Sequence, residues 1–97
     1  MPGTHVRPIE YEVMRVADAR GLGVARATVE AHLGPDPEMA VLRCVDRDGE
    51  KLTAVGRVER WKALLASGEA GDPNGLSLSE RDFPVVVRGW PNLPMSA

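Results

Sequence analysis

Apolar and polar residues alternate with a period of two over several stretches of this chain and recur with helical spacing in another. Ile9, Tyr11 and Val13 are separated by Glu10 and Glu12, which is a strand pattern on a β-branched background. The apolar parity then moves to Met14 and Val16, predicting a bulge near Val13. After a turn at Arg20, Gly21, Leu22 and Gly23, residues 24–33 alternate again. Ala25, Ala27, Val29, Ala31 and Leu33 fall on one side, and Arg26, Thr28, Glu30 and His32 on the other. The alternation predicts a strand returning onto Met14 and Val16, although alanine favours helix over strand. Gly34, Pro35, Asp36 and Pro37 end that segment, because each proline lacks an amide donor and restricts its predecessor.

Residues 39–68 carry the strongest local signal. Two apolar runs meet at Arg47, Asp48, Gly49 and Glu50, and Asp-Gly between such runs marks a β-hairpin with a type I′ turn. A two-residue loop sets Asp46 opposite Lys51, Val45 opposite Leu52 and Leu42 opposite Val55. A helix follows over residues 57–67, with Val58, Trp61, Leu64 and Leu65 on its apolar side and Gly68 as its left-handed stop. Residues 69–82 form a long connection centred on Asp72, Pro73 and Asn74, with Leu76 and Leu78 pinning it to the core. Residues 83–90 read as a last strand, and Pro84 makes it an edge strand or stands at its first position. The sum is an α+β fold: a small antiparallel sheet of four to five strands, made of two hairpins and a C-terminal strand, with one helix packed on it. Residues 1–7 read as a loose lead-in, 8–90 as a single domain and 91–97 as a flexible tail.

Composition changes this picture little. Ninety-seven residues suit one core, and the apolar fraction of 43% is that of ordinary globular chains. A net charge of −2 disfavours a general nucleic-acid binder, although a local basic patch is compatible with it. A single cysteine, Cys44, allows no disulfide within the chain. No apolar run is long enough for a membrane helix and the start does not read as a signal peptide, so the cytoplasm is the expected compartment and no membrane partner is expected.

Residues 19–33 carry a second possibility. Leu22, Gly23 and Val24 followed by Arg26, Ala27, Thr28 and Val29, with Ala19 ahead of the turn, resemble the second half of a bacterial helix-turn-helix. The resemblance implies a recognition helix in which Arg26, Thr28 and His32 meet DNA. Gly21 and Asp18 depart from that pattern, and a strand-like stretch stands where the supporting helix belongs. A plain hairpin with turn glycines explains the same residues and is preferred.

Chemistry-bearing side chains do not converge in the sequence. Cys44 sits in an apolar strand, where a thiol is a small buried hydrophobe. Two histidines, His5 and His32, without clustered acids make a poor metal site. Glu10 and Glu12 share one side of a strand, as a solvated face does. No catalytic residue, metal ligand or cofactor site is predicted. Trp61 reads as core, and Trp90 either caps the sheet or anchors a partner. Arg57, Arg60, Arg88 and Trp90 are the expected partner-binding residues, because Trp and Arg dominate binding hot spots. The function expected is a small non-catalytic protein–protein interaction or accessory module, self-associating or docking another protein along residues 84–90. A DNA-binding regulator acting through residues 19–33 is the alternative, and nucleic acid is a partner only there.

Overall fold

The structure is a computed structural model that describes residues 4–23, 25–71 and 75–91. In chain order it contains β1 (Thr4–Arg15), α1 (Ala25–Leu33), β2 (Glu38–Asp46), β3 (Lys51–Arg57), α2 (Val58–Ser67), β4 (Leu76–Leu78) and β5 (Val85–Arg88). The strands form one antiparallel five-stranded sheet in the order β4-β1-β2-β3-β5. Successive side chains of β2 and β3 point to opposite faces, and both faces are covered. Met39, Val41 and Val55 pack with Ala25 and Val29 of α1, whereas Ala40, Leu42 and Ala54 pack with Trp61 of α2. Coverage on both sides explains why β2 reads as an unbroken buried run over Met39, Ala40, Val41 and Leu42.

Residues 25–33 are a helix, not the expected strand, and β1 pairs with β2 instead. Ala25, Val29 and Leu33 recur every fourth residue, so they form one helical stripe that also satisfies the period of two. Ala27 and Ala31 are exposed, where alanine contributes helix propensity and no packing. Arg26 and Glu30 add an ion pair one turn apart at 3.6 Å. The sheet therefore carries two helices where one was expected. Gly21 lies in a 3-10 turn, Arg20–Leu22, and not in a hairpin loop.

The central hairpin forms, but its register differs by one residue from the expected one. Val45 pairs with Lys51, Cys44 with Leu52, Leu42 with Ala54 and Val41 with Val55. The loop has three residues, Arg47, Asp48 and Gly49, of which only Gly49 has positive φ, +79°. This is the type I turn closed by a left-handed residue. Asp46 opens it: its Oδ1 accepts the amides of Asp48 at 2.9 Å and Glu50 at 2.8 Å. Because both faces of the sheet are apolar, a one-residue slip loses little burial, so the hydrophobic pattern did not specify the register.

β1 starts at Thr4, ahead of the expected strand, and Val6 is 2% exposed. Its bulge lies between Pro8 and Glu10, not near Val13. Pro8 has no amide to continue the ladder, which places the irregularity there. The parity shift at Met14 has another cause: Met14 lies under α1 while Val13 lies on the opposite face. α2 ends at Gly68, φ +82°, as predicted. Within the long connection, Leu76 and Leu78 are buried in a short strand, β4, that was not foreseen. The last strand is shorter than expected and, among the described residues, pairs with β3 alone, at the end of the sheet. The turn predicted at residues 72–74, most of the tail and the first three residues lie outside the described residues.

Candidate functional site

The outer part of β1 is the surface that distinguishes this molecule. β4 lies beside β1 only at residues 4–6, while β1 continues to Arg15. Among the described residues no strand extends β4 along residues 7–15. On the α2 side of this stretch, Tyr11 is opposite Leu42 and Val13 opposite Ala40. Both are nonetheless open, as is Ile9: Tyr11 is 48% exposed, Val13 38% and Ile9 52%.

α2 packs through Trp61 on Ala40, Leu42 and Ala54 and leaves these side chains open. Trp61 is buried over the middle of the sheet with its ring edge-on to Phe83 at 6.2 Å and to Tyr11 at 5.2 Å. A groove of about 200 Å³ is left between helix and strand, lined by Pro8, Ile9, Glu10, Tyr11, Trp61, Leu65 and Ala70. Leu65 is 40% exposed at its rim. Trp61 Nε1 is buried and finds no acceptor among the described residues.

The opposite side of the same strand is charged. Arg43 Nη1 donates to Glu10 Oε1 at 3.0 Å, and the Glu10 side chain remains 39% exposed. Glu12 follows two residues on and is half-buried. This stretch of β1 thus has an apolar side, a side on which Glu10 and Glu12 lie with Arg7 and Arg43, and an outer edge.

The sequence-predicted binding residues do not gather into one site. Arg57 Nη2 donates to the His32 carbonyl at 2.9 Å, tying β3 to the carbonyl end of α1. Arg60 Nε reaches Asp82 Oδ1 at 2.6 Å, and Asp82 also accepts Ser79 Oγ at 3.1 Å. Arg88 Nη1 meets Glu50 Oε1 at 2.7 Å beside the hairpin turn. Trp90 is folded back, its Nε1 donating to the Leu52 carbonyl at 3.0 Å and the Cys44 carbonyl at 3.2 Å, with Lys51 Nζ 4.9 Å from its ring. It caps the sheet. Arg26, Thr28 and His32 are exposed on α1. What precedes α1, however, is β1 and two 3-10 turns, Val16–Asp18 and Arg20–Leu22, in place of the first helix of a helix-turn-helix.

Cys44 is fully buried, and its Sγ approaches the Leu52 carbonyl at 3.5 Å. Burial, aided by the charge of Asp46, raises its pKa to about 11, so the thiol is protonated at neutral pH. Among the described residues no group of three or more His, Cys, Asp or Glu could hold a metal ion. A second, more polar concavity of about 300 Å³ lies at the hairpin end between His5, Arg7, Asp46, Arg47 and Gly75.

Sequence reasoning missed the β1 surface although it recognised the alternation that makes it. Ile9, Tyr11 and Val13 look like a core face, and their exposure depends on where α2 lies on the sheet, which the sequence does not show. Comparison with known proteins returns nothing: no family model, no curated protein and no solved structure matches this chain.

Proposed function

We propose that this chain is a non-catalytic interaction module that docks an extended segment of another protein along the outer edge of β1. One observation carries the reading: among the described residues, an open strand edge lies directly beside a largely apolar groove. Such an edge is a template for an added strand, whose backbone supplies the missing ladder and whose side chains enter the neighbouring groove. Three of the five exposed large hydrophobics among the described residues, Ile9, Tyr11 and Leu65, line this groove, and Val13 follows Tyr11 on the same face of β1. The sealed, protonated thiol of Cys44 supplies no nucleophile, in keeping with a binding role.

The test is a selection of random displayed peptides on the folded chain, with Val13→Lys as the counter-target. Binders should discriminate wild type from variant by about tenfold or more, since the lysine places a charge in the apolar stripe. A selection that yields only peptides indifferent to Val13→Lys overturns the reading.

A second reading keeps residues 84–90 as a self-association edge. It is favoured by the terminal position of β5 and by Val86, 42% exposed on that strand. Sedimentation equilibrium checks it: association at micromolar concentration should vanish in Val86→Lys. A wild type that stays monomeric there removes it.

A further inference from the structure

We infer that the polar concavity at the hairpin end of the sheet holds the phosphate group of a soluble phosphomonoester. The inference does not rest on the β1 docking edge. His5 and Arg7 share one face of β1, where Arg7 lies across from Val45, and Arg47 follows β2 directly. All of them line one concavity of about 300 Å³. Arg15, Arg26, Arg43, Arg57, Arg60 and Arg88 each hold a carboxylate or a carbonyl oxygen. Arg7 and Arg47 hold none among the described residues, and both are exposed. Further along the same face, Glu10 is held by Arg43, and Glu12 lies opposite Val41. Two unpaired guanidiniums thus face one hollow.

The rest of the wall is fixed in place. Asp46 is the one carboxylate among the described residues that lines it, and its Oδ1 accepts the amides of Asp48 and Glu50 at 2.9 and 2.8 Å. That carboxylate is tied to the turn, with its charge partly balanced by peptide dipoles. Asp48 borders an adjoining hollow, not this one. Gly75 approaches β1 so closely that a Cβ would overlap the Val6 carbonyl oxygen and crowd the His5 ring, so that ring is packed against the wall. The two arginines are the adaptable arms. Each guanidinium is a planar fork of donors with no acceptor of its own. A phosphomonoester carries about two negative charges at neutral pH and three terminal oxygens, enough to accept both forks. A carboxylate has two oxygens, which a single fork already occupies. An anion between the arginines also offsets their mutual repulsion.

Amide chemical-shift titration of the full chain tests the inference, with inorganic phosphate, glycerol phosphate, acetate and sodium chloride as probes at matched ionic strength. Both phosphates should give saturable shifts confined to residues 5–7, 45–49 and 75. Acetate should bind about tenfold more weakly or worse, and chloride should not saturate. Arg7→Gln and Arg47→Gln should each weaken phosphate by about tenfold, the loss of one charge-assisted contact. Arg20→Gln, which removes an exposed arginine elsewhere, should change nothing. If either glutamine variant fails to fold, Arg47→Lys, which keeps the charge and loses the fork, must still weaken phosphate. Shifts reproduced by chloride reduce the effect to screening and overturn the site. Equal affinity for acetate overturns the phosphate class. Undiminished binding in the arginine variants, or shifts that map elsewhere, overturns the assignment to this concavity. Vesicles of phosphatidic acid in phosphatidylcholine separate the two sources of a phosphomonoester. Co-sedimentation with them in the absence of glycerol phosphate binding would make the ligand a membrane headgroup and overturn the soluble one.

Discussion

Cys44 shows how much a single residue's chemistry depends on what covers the sheet. Neighbouring strands and packing on its face leave the thiol no water, and its pKa stands at about 11 in place of 9.0. A thiol whose folded pKa is raised contributes its full share of stability below the unfolded pKa. That share is lost as the unfolded thiol ionises first, between pH 9 and about 11. The urea midpoint of wild type relative to Cys44→Ala should therefore be constant up to pH 9 and fall above it. A flat difference through pH 11 would mean that solvent reaches the sulfur. Gly56 is constrained in a different way. A Cβ there would overlap the Asp82 carbonyl oxygen and meet the Phe83 ring at 2.8 Å. Backbone cannot swing aside as a flexible side chain can, so Gly56→Ala should cost about 2 kcal/mol or more. A denaturant midpoint within error of wild type would mean that the segment preceding β5 sits further from β3. Neither effect was legible in the sequence, where Cys44 reads as a small buried hydrophobe and nothing marks Gly56.

At the scale of elements, the sequence specified those whose signals agree and misled where one pattern fits two periods. α2 was legible because its apolar spacing, its length and Gly68 all point to the same boundaries. α1 was not, because Ala25, Val29 and Leu33 satisfy both a period of two and a stripe of every fourth residue. Alanine's propensity decided between them. Ala27 is exposed on that helix, so Ala27→Gly should cost about 1 kcal/mol through backbone entropy alone. A neutral substitution would argue against a helix there. The central hairpin was legible as an element but not in its register, since Asp46 sets the turn through its side chain. Gly49 nonetheless keeps its predicted role. At φ +79° a β-branched residue is strained, and Gly49→Val should destabilise by about 1 kcal/mol or more, read as a shift in the urea midpoint. The candidate site was half legible. Its residues are visible as an alternating strand, but their exposure depends on which elements cover which strand, and that is a property of the assembled sheet.

For the whole molecule, the order β4-β1-β2-β3-β5 makes cooperativity uneven across the sheet. β2 and β3 are paired on both sides and covered on both faces, with Val41, Leu42, Ala54 and Val55 fully buried. Their amides can exchange only when the molecule unfolds globally. β1 is different along its length. Its first residues lie between β4 and β2, whereas among the described residues only β2 flanks residues 7–15. In a strand, successive amides point to opposite edges, so protection along this stretch should alternate. Amides directed at β2 should approach the protection of the central strands, and those directed outward should exchange orders of magnitude faster. Hydrogen exchange resolved by residue measures this directly. Uniform protection of residues 9–15 at the level of β2 would mean that the edge is already covered in the isolated chain, and no partner strand could then add to it. With a peptide selected on this edge present, the fast set alone should slow, because the added ladder bonds those amides and leaves the inner ones unchanged. Slowing spread evenly over the chain would instead report general stabilisation by a ligand bound elsewhere.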